Sequence, residues 1–262
     1  MAGALGAGCS GSTRSVDLTY RSAMRGNAHH QAAAQWSTLI TSPRVQMPAA
    51  PESRLPSQVI ETEAQLRELI GAPAELTCAK ISNRLNPMTR LFIERSPFAC
   101  VATSDPAGNC DLSPRGDPAG FVRILDDRTL LVPERPGNRL ADSLRNILAN
   151  PHIGLLFIVP GVTDTFRVNG RATIITDTAL LAPCAVEGKP PLLGVLVDID
   201  EAYTPCSKAF ARSHLWDPRR FTDPGAMPTG GQVHRAIQGE QFDAESYDQE
   251  RAERYRRRVG FY

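Results

Sequence analysis

The run Pro133-Glu-Arg-Pro-Gly-Asn-Arg139 concentrates the residue types that bind anions. It leaves an apolar strand pattern, Thr129–Val132, and enters a helical one. A strand exit that feeds a helix N-terminus offers free backbone N–H groups and the positive end of the helix dipole. Arg135 and Arg139 add permanent charge and forked donors suited to phosphate, with Gly137 and Asn138 between them in the candidate turn. A loop carrying two solvated arginines has the same composition, and spacing alone does not separate the two readings. A second polar corner is Ser113-Pro-Arg-Gly116; strand alternation places Asp111, Ser113 and Arg115 on one face and Cys110 and Leu112 on the other. That face either binds a ligand or meets water.

Two further stretches combine charge with structure. In Thr165-Phe-Arg-Val-Asn-Gly-Arg171, alternation sends Phe166, Val168, Ala172 and Ile174 to the core. Thr165, Arg167, Asn169 and Arg171 then share the opposite face, as a solvated edge or a ligand contact. In Cys206–Pro218, Lys208, Arg212 and Trp216 recur every fourth residue and would form one cationic and aromatic stripe on a helix. A plain core tryptophan is the alternative for Trp216.

The elements that must position these groups are mostly strands. Helical spacing begins at Glu61, with Leu66, Leu69 and Ile70 on one face, and stops at Gly71 and Pro73; a second helix is expected from Pro87 to Glu94. The period then changes to two. Strands are expected at Phe98–Thr103, Cys110–Arg115, Phe121–Leu125, Thr129–Val132, His152–Val159, Thr165–Ile175 and Leu192–Ile199. Ser104–Asn109 carries turn chemistry, with Pro106 fixing φ and Gly108 free to take positive φ. One helix interrupts the strands, Asn138 to Ala149, with Asn138 as N-cap, a Leu140, Leu144, Ile147, Leu148 stripe and Asn150-Pro151 as its stop. Asp223–Gly231 reads as a linker, and Asp243–Arg258 as a charged helix with acids first and bases last. Many short strands with one inserted helix predict a mainly β, α+β fold built on a closed or split antiparallel barrel.

Composition removes several function classes. A net charge of +1 gives no global case for nucleic acid or an anionic membrane. The apolar run Ile153–Val159 is too short to cross a bilayer. No two of the six cysteines form a C-x-x-C pair, so free thiols and a cytoplasmic location are expected. There is no H-E-x-x-H, P-loop or G-x-S-x-G, the five histidines lack metal-ligand spacing, and no metal is expected. Residues 1–57 are rich in Ala, Ser, Gln and Pro and read as a disordered leader, or as a start-site artefact with Met47 near the true start. Gly6-Ala-Gly-Cys-Ser-Gly11 satisfies G-x-G-x-x-G, but no strand precedes it and no helix follows, so it is not a dinucleotide site.

The ordered succession of these segments is more specific than any one of them. Phe98–Arg115, Phe121-Val-Arg-Ile-Leu125, Thr129–Leu144, Asn150–Phe157, Phe166–Ala172 and then Cys206–Pro218 together resemble the pyridoxamine 5′-phosphate oxidase-like flavoproteins, over about residues 60 to 220. The resemblance implies an FMN-binding split β-barrel across residues 58–221, followed by a linker and charged helix across 222–262. It implies a homodimer with FMN at the subunit interface. By the same resemblance Arg135, Gly137, Asn138 and Arg139 form the phosphate-binding turn. Ser113 and Arg115 contact the phosphate and isoalloxazine side, and Arg167 and Asn169 approach the flavin. Lys208 and Trp216 come from the partner chain. The implied activity is an FMN-dependent oxidoreductase acting on a small molecule. The alternatives are a non-catalytic flavin-binding or sensing module, a split-barrel reductase using a deazaflavin coenzyme, and a haem-handling protein.

The chain also departs from the oxidase that gives the family its name. That enzyme carries paired tryptophans and an Arg-Leu-His motif that bind substrate near its C-terminus. Here the tryptophans are Trp36 and Trp216, and Arg212-Ser-His214 is a distant echo. Efficient oxidation of pyridoxamine phosphate is therefore not expected, because a phosphorylated pyridine needs an anion site of its own.

Overall fold

The computed structural model describes residues 59–262. The leader and its glycine motif lie outside the described residues. The stretch up to Gly71 contains one helix, α1 (Glu63–Ile70), opened by a capping box between Thr62 and Gln65 and closed at Gly71 with φ 75°. Both ends agree with the expected start and stop.

A separate unit, Ala72–Tyr262, holds every other element described here. Helices α2 (Glu75–Ala79) and α3 (Pro87–Arg95) lead into β1 (Phe98–Ser104). Strands β2 (Cys110–Gly116), β3 (Arg123–Ile124) and β4 (Thr129–Glu134) follow. Next come α4 (Asp142–Ala149), β5 (His152–Ile158), β6 (Phe166–Ile175), α5 (Thr178–Leu181) and β7 (Leu193–Tyr203). The chain then runs through α6 (Lys208–Ser213), α7 (Gly230–Gln238) and α8 (Ala244–Arg256).

The seven strands form one sheet in the order β2-β1-β5-β6-β7-β4-β3, with every pair antiparallel. Alternation buries one face. Val101, Leu130, Val132, Leu155, Phe157, Phe166, Val168, Val195 and Val197 point inward and form the main core. Phe92 of α3 stacks on Phe166 at 5.8 Å, which ties that helix to the barrel. At Asn169/Gly170 the β6–β7 register shifts, and a Cβ on Gly170 would overlap the Asp198 carbonyl oxygen. Glycine there permits the bulge that bends the sheet.

The sheet curls until its far ends meet. Arg115 of β2 contacts Glu134 of β4 at 3.0 Å, and Asp117, just past β2, contacts Arg135, just past β4, at 2.6 Å. β2 is one end of the sheet and β4 lies next to the other, so these two ion pairs of opposite polarity close a split barrel. This is the mainly β fold with peripheral helices that the strand pattern predicts.

Several local expectations are corrected. α4 starts at Asp142 rather than Asn138, because Arg139 and Ala141 adopt left-handed φ values of 65° and 56° that no continuous helix passes through. Asn138 accepts from the Leu140 N–H in a local turn and does not cap the helix. The helix buries Ser143 and Ile147, while Leu140 and Leu148 of the expected stripe are exposed. Only Arg123–Ile124 of the expected strand Phe121–Leu125 pairs with β4. α6 ends at Ser213, with His214 left-handed, so Trp216 lies beyond it and the Lys208, Arg212, Trp216 stripe does not form. The expected linker runs into α7, capped by Thr229 and packed on α8 through Gly231, where a Cβ would overlap the Ala244 carbonyl.

The Asp117 side chain is 3% exposed and that of Arg135 15%, so each depends on the other for charge compensation. Asp117→Ala is expected to lower stability by about 3–5 kcal/mol in urea unfolding, the cost of leaving one member of a buried pair alone. Asp127→Ala, which breaks the exposed pair with Arg84, is expected to cost less than about 1 kcal/mol.

Candidate functional site

A cleft of about 440 Å³ opens where β2, the β4 exit and the start of α4 meet. Its lining includes Ser113, Arg115, Arg135, Gly137, Asn138 and Arg139. Six sequence-predicted residues from two distant segments thus share one cavity, with a volume in the range of small-molecule sites.

The segment from Pro136 to Ala141 is held at both ends. Upstream, Arg115 Nε donates to Glu134 at 3.0 Å. Arg135 Nε donates to Asp117 at 2.6 Å and its Nη2 to the Cys184 carbonyl at 2.6 Å. Downstream, Ser143 Oγ donates to Asp111 at 2.6 Å, and Ser113 Oγ donates to the same carboxylate at 3.0 Å. Between these anchors lie the two left-handed residues. Such a conformation costs a non-glycine residue about 1–2 kcal/mol, and persists when its surroundings enforce it.

The arginines divide into two kinds. Arg115 and Arg135 are engaged within the barrel closure, and Arg135 also lies over the Tyr262 ring at 5.3 Å. Arg139 has no ion pair or side-chain hydrogen bond among the described residues and is exposed at the cleft. The N-terminus of α4 lacks a side-chain cap, since residue 141 is alanine. Its first amides are therefore open to an outside acceptor. Asp142 in the first turn opposes an anion there, and its partner Arg145 at 3.6 Å offsets part of that charge.

The remaining predicted residues lie elsewhere. Arg167 donates to the Tyr203 hydroxyl at 3.0 Å, and Asn169 donates to Glu201 at 3.1 Å. Asn169 and Glu201 line a different cleft of about 650 Å³, together with Ala102, Leu112 and Gly154. Lys208 opens α6, and Trp216 Nε1 donates to the Val162 carbonyl at 2.9 Å. Within one chain these four are not part of the cleft around Arg139.

Sequence reasoning missed Asp117, Glu134 and Ser143. The alternation that groups Asp111, Ser113 and Arg115 reaches Asp117, and Ser143 lies one turn before Ile147, so both had a local signal. Tyr262 had none. Its hydroxyl donates to Asp117 at 2.8 Å across 145 positions of sequence, and that hydrogen bond pushes the phenol above its ordinary pKa. Burial likewise pushes the Cys184 thiol up.

Residues 85–205 match the family model described as pyridoxamine 5′-phosphate oxidase. With its antiparallel split barrel, this segment is similar to that family. No curated protein matches. Among solved structures, the segment is similar to HupZ of Group A Streptococcus, at 20% identity over 46% of this chain and 93% of that one, with a TM-score of 0.39. It is also similar to an FMN-binding protein of Syntrophomonas wolfei, at 13% identity over 45% of this chain and 89% of that one, with a TM-score of 0.35. HutZ of Vibrio cholerae, a haem storage protein, gives 13% identity, 44% and 89% coverage and a TM-score of 0.32. Identities and TM-scores this low transfer neither ligand nor activity to this chain.

Glycine adopts the left-handed conformation of residue 141 without the Cβ penalty, although it loses more chain entropy on folding. Ala141→Gly is expected to raise stability by up to about 1 kcal/mol in urea unfolding. A loss of that size would mean that residue 141 is not left-handed in solution.

Proposed function

We propose that this protein binds FMN through the cleft around Arg139 and acts as an FMN-dependent oxidoreductase on a small molecule. The observation that carries the reading is the convergence of Ser113, Arg115, Gly137, Asn138 and Arg139 on one cleft, within the segment that matches the family model. The donor set suits a phosphate: an exposed Arg139 guanidinium with no side-chain partner among the described residues, and uncapped amides at the start of α4. Arg135 serves the cleft indirectly, by fixing where the segment begins. Bound FMN supplies the redox chemistry, while the protein anchors its phosphate, orients the ring and limits water around it.

The flavin ring is shared between two copies in this reading. The outer face of β1, β2 and β5 carries Phe98, Ala102 and Leu112, with Leu112 68% exposed, beside the larger cleft that contains Asn169. A second copy on that face would cover this apolar surface and bring Arg167, Asn169, Lys208 and Trp216 to a flavin held by its partner. Cys78, Cys100, Cys110, Cys184 and Cys206 are free thiols, and no described helix is long and apolar enough to cross a membrane; both fit a cytoplasmic enzyme.

The absorption spectrum of the purified protein, followed by FMN titration, tests the cofactor. A flavin spectrum and saturable binding are expected, and indifference to micromolar FMN overturns the reading. A deazaflavin or haem spectrum would select the other ligand classes. Arg139→Ala is expected to weaken FMN by about 1.5–3 kcal/mol, as for a charge-assisted hydrogen bond, with unfolding unchanged. Light scattering is expected to give a dimer, and a monomer that binds FMN tightly would contradict the shared site.

A further inference from the structure

We infer that Tyr262 is a positioning residue for the anion-binding segment Pro136–Ala141, a role that rests on the FMN reading of that cleft. The barrel closure explains why a residue so distant in sequence has this effect. Asp117 is nearly fully buried and has two carboxylate oxygens to satisfy. Arg135 Nε donates to Oδ2 and the Tyr262 hydroxyl donates to Oδ1, at 2.6 Å and 2.8 Å. The Tyr262 ring also lies against the Arg135 guanidinium, with its carbon 5.3 Å from the ring centroid. One phenol therefore contacts both members of the pair.

The tail that carries the phenol is itself tied down. Arg258 pairs with Glu187 at 2.9 Å and lies over the Tyr262 ring at 5.5 Å. Lys189 donates to the Tyr262 backbone oxygen at 3.5 Å. The tail is thereby fastened to the turn around Glu187 as well as to the barrel closure.

Arg135 immediately precedes Pro136, so its orientation sets how the chain enters the left-handed segment that carries Arg139. With Nε on Asp117, Nη2 on the Cys184 carbonyl and its face under Tyr262, Arg135 is held in the closure while it lines the cleft. Without the phenol, Asp117 Oδ1 loses its donor and the guanidinium loses one wall. Arg135 then gains freedom to swing, and the strained segment loses part of its upstream anchor. Tyr262 is not among the residues of the main core, so its contacts act on the closure and not on core packing.

The test uses the full chain with Tyr262→Phe, which keeps the ring and removes the hydroxyl, and Tyr262→Ala, which removes both. Three quantities are read: the FMN dissociation constant, the rate of tryptic cleavage after Arg139, and the urea midpoint. Tyr262→Phe is expected to weaken FMN and speed that cleavage by about three- to tenfold, the range for one lost hydrogen bond, and Tyr262→Ala by more. A role confined to global stability would lower the urea midpoint and speed cleavage throughout the chain together, which would overturn the inference. So would unchanged cleavage after Arg139 in both variants. If Tyr262→Ala fails to fold, Tyr262→Phe decides. If the wild type ignores FMN, the cofactor reading falls, while the cleavage comparison still tests the anchor.

Discussion

Two ion pairs of opposite polarity, Arg115–Glu134 and Asp117–Arg135, hold the ends of the curled sheet together, and the candidate site is built on that closure. An antiparallel sheet that stays open leaves edge groups unpaired, and a barrel removes that liability by bringing its ends together. Here the ends meet through side chains. Each pair places one charge from the β2 side against one from the β4 side, and the reversed polarity gives each pair a like-charge neighbour if the strands slip. The closure therefore fixes register as well as proximity. Mostly buried pairs are costly to break and of modest net benefit when intact, so geometry is their main contribution.

That geometry assigns different work to arginines that look alike in sequence. Arg135 and Arg139 lie four positions apart and present the same chemistry to a reader of the chain. One is held by a carboxylate, a carbonyl and an aromatic ring, whereas the other lines the cleft with no side-chain partner among the described residues. Two of the five Arg135 N–H donors are committed to protein acceptors, which fixes its orientation while it lines the cleft. The strain at Arg139 and Ala141 lies between the upstream closure and the downstream Ser143–Asp111 bond, where the surroundings can enforce it. Donors held in place in this way would lose little further freedom on meeting a ligand.

The fold itself is permissive about chemistry. One fold can host different functions, because the scaffold fixes where strands end while loop residues set what is recognised there. In the proposed reading the residues that would set specificity are divided between the Arg139 cleft and the outer face near Asn169. The second group lies apart from the first within one chain, so under that proposal a second copy would bring them together. The inner face of the barrel, by contrast, is lined by packed apolar side chains.

Short-range patterns in the sequence determined most of the elements. Alternation located β1, β2, β4, β5, β6 and β7, and the inward set of β6 was legible as Phe166, Val168, Ala172 and Ile174, because a strand's side chains face opposite ways at a fixed period. Pro, Gly and Asn punctuation located the turns, including Gly108 with φ 86°. The same local signals failed where distant contacts override propensity. The start of α4 moved from Asn138 to Asp142 because Arg139 and Ala141 are left-handed, in a segment anchored on both sides by contacts to β2 and the turn after it. α7 was hidden because its glycines read as linker, and only packing against Ala244 shows why they are small. The sequence supplied the cleft's residue types through ordered segments; the tertiary structure decided which arginine is free, and set Tyr262 beside Asp117. Side-chain pairing across more than a hundred residues depends on how the sheet curls, and no local period encodes that.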